Sequence, residues 1–283
     1  MTIAESASFD RREFPMTDSN FKLIQKIAYS KTGISLSDHK KNMIYGRLSR
    51  RLSALNLTNF DQYCSLINQK HSPELVDFIN SITTNLTSFF RESHHFDYLE
   101  NVLFPRLLQK NKESRRLRIW SAGCSTGEEP YSIAMVLNKF SEFRNWNAKI
   151  LATDLDSNVV RHCKEGIYSI ERIEEIKPEY KKYFSINADG VNVTVSQEIK
   201  QWITFKQLNL MNEWPMKGPF DLIFCRNVVI YFDQPTQKKL FARYADLLSD
   251  KGVLCIGHSE SLHNVSDRFV SLGKTIYEKG ESA

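Results

Sequence analysis

Residues 119–132 read IWSAGCSTGEEPYS. An apolar run at 117–120 empties into a loop of small residues that holds Gly123 and Gly127. Glu128, Glu129 and Pro130 follow at once, and 131–140, YSIAMVLNKF, has helical spacing. A strand, a glycine-bearing turn and a helix in this order belong to an α/β sheet. Such turns usually cradle phosphate, because the helix N-terminus presents free N–H groups. Here two carboxylates stand where a phosphate would sit. A P-loop carries a lysine after its last glycine, and a dinucleotide fingerprint needs GxGxxG; this loop has neither.

The α/β pattern continues on both sides of the loop. After Arg115 come the apolar runs RRLRIWSAG, AKILATDLD, WITFKQLNL, FDLIFCRN and GVLCIGHSE, most of them separated by helical segments such as NVVRHCKEG and QKKLFARYADLLSD. That alternation predicts a parallel sheet with helices on both faces. The last run, KTIYEKG, follows only a loop and is expected to return antiparallel at the sheet edge. Between Gly166 and Trp202 the runs KKYFSI and VNVTVS flank NADG, a hairpin signal, which predicts a small antiparallel insertion at about 167–201. Upstream of Arg115 the periodicity is helical, with few strand signals. The expected division is a flexible tail at 1–18, a helical domain at 19–90, a linker helix at 91–114 and an α/β domain at 115–283.

Composition bounds the class. With 283 residues, 41% hydrophobic and 25% charged, the chain reads as a soluble globular protein of one large or two modest domains. No apolar run approaches bilayer length, and the N-terminal stretch lacks a signal-peptide core. Five scattered cysteines with no CxxC spacing read as reduced and buried, without a disulfide framework or metal site, and so imply the cytoplasm. The net charge of +5 permits an acidic partner without specifying one.

Ligands of open α/β sheets bind beyond the carboxyl ends of the strands. Carboxylates there repel a polyphosphate and favour a ligand with cationic groups and a sugar. S-adenosylmethionine has a sulfonium, an ammonium and a ribose diol, and no phosphate. The next strand ends in Asp154 and Asp156, where an acid commonly accepts hydrogen bonds from ribose hydroxyls. The strand after that ends in Asn209 and Leu210, which could frame an adenine. One acid at a strand end can simply cap a helix; three such positions in order point to S-adenosylmethionine, with S-adenosylhomocysteine as product.

The acceptor side is read from the run that enters Arg226, Asn227 and Tyr231. Methyltransferases acting on base nitrogens often carry an Asp/Asn-Pro-Pro-Tyr loop here. Arginine does not deprotonate an amine, but it can hold a carboxylate or close a structural ion pair with a neighbouring acid. A glutamate acceptor needs no general base, since its ordinary pKa is about 4.3. In-line positioning would supply the rate.

Taken together, SAGCSTGEEPYS, TTNLTSFFRE, FDLIFCRNVVIYF and GHSES resemble the CheR-type chemotaxis receptor methyltransferases, in order over residues 20–280. The resemblance implies an all-helical N-terminal domain followed by a Rossmann-like class I S-adenosylmethionine-dependent domain with an inserted β-subdomain. It implies methyl transfer to glutamate side chains of membrane chemoreceptors, giving methyl esters. It places Asn85, Thr87, Arg91, Glu129, Asp154, Asn209, Leu210, Arg226 and Asn227 in the cofactor site, and Arg91 and Tyr231 nearest the transferring methyl. Arg91, Arg226 and Tyr231 are the expected catalytic set.

On the helix near 40–55, Ile44, Leu48, Leu52 and Leu55 form one stripe, and Lys40, Arg47, Arg50 and Arg51 cluster on an adjoining face. That face is either a solvated basic surface or a dock for an acidic receptor helix. The inserted hairpin could pair with an extended receptor C-terminal peptide by strand addition, as it does in some members of the family that the chain resembles. Two other classes stay open: a nucleic-acid methyltransferase, which the basic helix favours but the absence of an aromatic-basic stacking patch opposes, and a non-catalytic cofactor sensor. Neither nucleic-acid binding nor membrane insertion is expected.

Overall fold

The computed structural model describes residues 13–280. The chain divides into two compact units, one running to Lys31 and from Ser35 to Ile82, the other comprising Thr32–Ile34 and the chain from Thr83 onward.

The first unit is helical: α1 (Asp18–Thr32), α2 (Lys41–Ala54), α3 (Phe60–Ile67) and α4 (Leu75–Ile82). Of the expected tail, residues 1–12 lie outside the described residues. Residues 13–17 are held in place. Phe14 is buried, and Thr17 and Asn20 bond each other reciprocally, side chain to backbone N–H, as a capping box at the start of α1. The stripe on α2 buries Ile44, Leu48 and Leu52, and the core around it includes Phe60, Tyr63 and Phe78. Asn59 caps α3 by accepting from Gln62 N at 3.0 Å.

The second unit opens with α5 (His94–Tyr98), which passes through a π-helical stretch, Leu99–Leu103, into α6 (Phe104–Lys110). There follow β1 (Arg116–Ala122), α7 (Glu128–Leu137), β2 (Asn147–Asp154) and α8 (Ser157–Glu165). The insertion holds β3 (Ile167–Ser169), α9 (Pro178–Lys181), β4 (Phe184–Ile186), β5 (Asn192–Val195) and α10 (Gln197–Lys200). The main sheet resumes with β6 (Ile203–Gln207), β7 (Phe220–Cys225), α11 (Gln234–Leu247), β8 (Leu248–Ile256), β9 (Phe269–Gly273) and β10 (Ile276–Lys279).

Its strand order is β6-β2-β1-β7-β8-β10-β9. The first five are parallel, and β10 runs antiparallel to both neighbours. The expected antiparallel return is therefore present, but β9 lies outside it and forms the edge. The central strands read as unbroken apolar runs because helices cover both faces; all six residues of β7 are buried. The insertion is a separate three-stranded antiparallel sheet, β3-β5-β4. Its β4–β5 turn is organised by Asp189, which accepts from Val191 N and Asn192 N.

The stretch 83–90, expected with the helical domain, groups with the sheet unit. The cause is local: Thr83 and Asn85 donate to Asp156, and the Phe89 ring packs edge-on against Tyr168 and Phe184. The segment 91–114 is likewise no free linker. Phe96, Leu99, Leu103, Phe104 and Leu107 are buried in the same core as β1 and α7.

Candidate cofactor and acceptor site

The chain runs from β1 outward to β2 and β6, then crosses back to β7 on the other side of β1. This reversal of strand order opens a crevice at the carboxyl ends of β1 and β7, the usual place for a ligand in such sheets. The glycine loop leaves β1 there, and the turn 226–231 leaves β7.

Gly127 closes the loop as the N-cap of α7 with φ of 100°. A Cβ at this position would meet Tyr168 Oη at 2.8 Å and Cys163 Sγ at 3.0 Å, so the loop can lie close to α8 only as glycine. Ser125 N donates to Asp154 Oδ2 at 2.8 Å, and Asp156 N donates to Asp154 Oδ1 at 3.0 Å. Burial pushes the Asp154 carboxyl up to about 6, against the pull of these backbone bonds. Asp156 caps α8 through Asn158 N and also accepts from Thr83 Oγ1 and Asn85 Nδ2, each at 2.9 Å. Ser125 Oγ donates back to the Asn85 carbonyl at 2.9 Å. Asn85, the glycine loop and the end of β2 thus form one bonded layer.

The two glutamates turn out to be inward residues. Glu128 is fully buried; its Oε2 accepts from Thr126 Oγ1 at 2.6 Å, and Arg172 Nη1 lies 3.8 Å from its Oε1. Arg172 also donates to the Thr87 carbonyl at 2.9 Å. Glu129 accepts from Ser121 Oγ at 2.7 Å and from Arg226 Nη1 at 3.2 Å. Burial raises the Glu129 carboxyl above the ordinary range, while Arg226 and Ser121 act against that rise.

Arg226 is buried and has a second carboxylate, Glu92, whose Oε2 lies 3.3 Å from its Nη2. The same Nη2 donates to the Arg91 carbonyl. Burial works against ionising Glu92, but the bond from His258 and the Arg226 charge hold its carboxyl down at about 2. Of the two roles open to Arg226 in the sequence, the structure shows the internal ion pair. Arg91 is half-buried; its Nη1 donates to the Leu86 carbonyl at 2.8 Å. It lines a cleft of about 460 Å³ together with Phe89, Phe90, Phe96 and Tyr180.

The turn after β7 places Asn227 at φ of 57° and Tyr231 at the end of a 3-10 turn, Val229–Tyr231. Asn209 and Leu210 make a separate turn after β6: Asn209 Oδ1 accepts from Met211 N at 2.9 Å, and the Leu210 carbonyl accepts from Arg243 Nη1 at 2.6 Å. The bonded networks join Asn85 with Asp154, and Glu129 with Arg226 and the Arg91 backbone. Glu92 and Glu260 are site residues that the sequence reading passed over. Both stand inside motifs it quoted, FFRE and GHSES.

In the helical unit the basic face divides. Arg51 donates from Nε and Nη2 to both oxygens of Glu74, at 2.8 and 2.7 Å, and from Nη2 to Asp77 at 2.8 Å. Arg47 donates to the Ile82 carbonyl at 3.2 Å. These two tie α2 to α4. Arg50 is exposed and Lys40 half-exposed. Among the described residues no helix is long and apolar enough to cross a membrane.

No lysine follows the glycine loop, Asp154 closes β2, and Arg226 after β7 is already paired with carboxylates, an arrangement that offers a polyphosphate no free cation and is compatible with S-adenosylmethionine. Comparison with known proteins agrees. Residues 85–277 match the model of the CheR methyltransferase SAM-binding domain, and residues 19–83 that of the CheR methyltransferase all-alpha domain. The chemotaxis protein methyltransferase of Escherichia coli is 41% identical over 267 residues, covering 93% of this chain and 91% of the relative. Chemotaxis protein methyltransferase 2 of Pseudomonas aeruginosa is 41% identical over 280 residues, covering 98% of each chain. The chain belongs to the CheR methyltransferase family: it is an S-adenosylmethionine-dependent methyltransferase with an all-helical N-terminal domain and a class I α/β domain that carries a small antiparallel insertion.

Proposed function

We propose that this enzyme transfers methyl groups to glutamate side chains of membrane chemoreceptors, giving methyl esters and S-adenosylhomocysteine. The observation that carries the reading is the match of residues 19–83 and 85–277 to the two CheR methyltransferase domains; Arg226 at the end of β7, held by Glu129 and Glu92, is in keeping with it. Where an amine-directed enzyme would place its polar loop, this one has a paired arginine. An acceptor that arrives already ionised, such as a glutamate carboxylate, needs no proton removed. The names of its relatives place them in chemotaxis, which supports a receptor as the acceptor.

When bound, S-adenosylmethionine supplies an electrophilic methyl group. Asp154 would accept from its ribose hydroxyls, Asn209 and Leu210 would border its base, and Asn85, Thr87, Glu129 and Asn227 would complete its contacts. Arg91 and Tyr231 hold the acceptor carboxylate in line. Arg226 keeps Glu129 and the Arg91 backbone in register instead of touching the acceptor. Arg50 and Lys40, with Arg47, receive an acidic receptor helix. The exposed edge of β4, with Ile186 at the surface, receives an extended receptor tail. The enzyme works on the cytoplasmic domains of its receptors.

The test is incubation with methyl-labelled S-adenosylmethionine and receptor-containing membranes. Label on the receptors that mild base releases as methanol supports the reading. Label on RNA or DNA, with receptor glutamates unlabelled, would sink it.

A further inference from the structure

The turn 226–231 carries three residues of the proposed site, yet most of it lies outside regular secondary structure. Asn227 has φ of 57°, which a side-chain-bearing residue rarely adopts. Only a single 3-10 turn follows it. Backbone N–H groups in such a segment need partners, or the segment has no fixed shape.

One side chain provides them. Glu260 Oε2 accepts from Asn227 N at 3.0 Å and from Gly257 N at 2.6 Å. Its Oε1 accepts from Val229 N at 2.9 Å and from Ile230 N at 3.3 Å. The residue is only 6% exposed. Bonds from N–H to an ionised carboxylate are about twice as strong as neutral ones, and more so away from water. The turns after β7 and β8 are also pressed together: any side chain at Gly257 would collide with Asn227. A carboxylate 30 to 33 positions along the chain from the amides it holds therefore sets the backbone of the turn.

We propose that Glu260 is a positioning residue for methyl transfer: its buried carboxylate fixes the 226–231 turn, so that Asn227 faces the cofactor and Tyr231 the acceptor. The proposal rests on the reading of that turn given above. Glu260 touches no reacting atom; it acts on the turn through three backbone N–H groups, those of Asn227, Val229 and Ile230. Charge as well as shape matters. Glutamine has the same outline but turns an NH2 toward N–H donors, whereas aspartate keeps the charge one methylene short.

The test uses the full chain with Glu260→Gln, Glu260→Asp and, for comparison, Tyr231→Phe. Methyl transfer to receptor-containing membranes is measured at saturating S-adenosylmethionine, S-adenosylhomocysteine affinity by calorimetry, and folded fraction by thermal unfolding. Glu260→Gln is expected to lower kcat per folded molecule about tenfold or more, as small misplacements of reacting groups do, with a smaller loss of affinity. Glu260→Asp should recover part of kcat. In the ligand-free wild type, the Asn227, Val229 and Ile230 amides should be protected from hydrogen exchange. Full kcat per folded Glu260→Gln molecule, with only thermal stability reduced, would overturn the proposal. So would unprotected amides in the wild type, which decides the matter even if the glutamine variant does not fold. Should Tyr231→Phe lose rate while Glu260→Gln keeps it, the Glu260 proposal alone falls; should both keep full rate, the reading of the turn falls with it.

Discussion

Arg226 Nη1 lies 3.2 Å from Glu129 Oε2, and both side chains are buried where the sheet reverses its strand order. The pair joins the first turn of α7 to the turn after β7. Glu92 closes on the same guanidinium from the bend just before α5. Removing the cation leaves the buried Glu129 carboxylate without its ion-pair partner and strips one partner from the half-buried Glu92. Breaking a buried ion pair by deleting one partner costs about 3–5 kcal/mol. Arg226→Ala should therefore lower the denaturant midpoint strongly. An unchanged midpoint in urea would show that the pair does not hold the two turns.

Arg91 should behave differently. It is half-buried and lines a cleft, so its loss leaves no buried charge behind. Arg91→Ala should change stability by no more than about 0.5 kcal/mol, as for exposed substitutions generally. Methyl transfer at saturating cofactor should fall roughly 10²-fold if the side chain orients the acceptor. Full turnover in single-turnover kinetics would remove Arg91 from the acceptor side.

The Asp154 carboxyl, pushed up to about 6, ties cofactor binding to pH. The ionised form is the better acceptor for ribose hydroxyls. S-adenosylhomocysteine affinity should therefore fall as pH drops through about 6, and in Asp154→Asn it should lose that dependence. At neutral pH the asparagine variant should bind about 1–3 kcal/mol more weakly. In the free protein the sign is opposite. A raised carboxyl contributes stability at low pH that is lost as pH rises through its folded value. Calorimetry across that window, with the same affinity for both proteins, would exclude Asp154 from the ribose role.

What the sequence made legible follows the physics of each element. Buried parallel strands are continuous apolar runs, so β1 and β7 stand out, with Ile119 beside Leu222 in register. β9 does not: of its five residues only Phe269 is buried, and the rest look like loop. Glu128 and Glu129, read as standing against the ligand, are paired inward with Arg172 and Arg226: the sign of a charge is readable from residues alone. Which way a charged side chain faces is not. Arg51 stood among basic neighbours on α2, but its partner Glu74 lies 23 positions away. Asn85 is bound to Asp156 across 71 positions, and Glu260 to Asn227 across 33. No local spacing encodes such pairs; only the completed fold brings them together.

The basic face of α2 therefore calls for two different outcomes. Arg51→Ala leaves the buried Glu74 carboxylate with the Tyr63 hydroxyl as its remaining side-chain donor among the bonds described. An unsatisfied buried group costs about 1–3 kcal/mol, so this variant should unfold early and lose activity for that reason. Arg50→Glu together with Lys40→Glu should lower the midpoint less than Arg51→Ala does, while weakening receptor methylation. Single exposed charge contacts are worth only about 0.2–1 kcal/mol, so the double change is needed. Raised salt should mimic it, since exposed charges are screened within about 8–10 Å. Wild-type receptor methylation by the doubly reversed protein at low salt would remove the docking face.

Acid stability should trace to His95. Its ring is fully buried, with Nε2 3.1 Å from Thr275 Oγ1 and Nδ1 3.6 Å from Glu92 Oε2. Burial, then the charges of Arg226 and His94, push the imidazole down to about 3, although Glu92 pulls the other way. The folded protein therefore keeps His95 neutral at a pH where the unfolded chain binds a proton. Stability from such a group is complete above the unfolded value of 6.5 and is lost as pH falls from there toward about 3. Glu92, held at about 2, adds its own loss only below its unfolded value of 4.5. In the interval between 6.5 and 4.5 the His95 contribution is thus separable from that of Glu92. His95→Gln keeps a side-chain amide for Thr275 and cannot titrate. Its urea midpoint should fall less than that of the wild type between about pH 7 and about pH 5. Equal falls in the two proteins would mean that His95 is already neutral, or already charged, in both states.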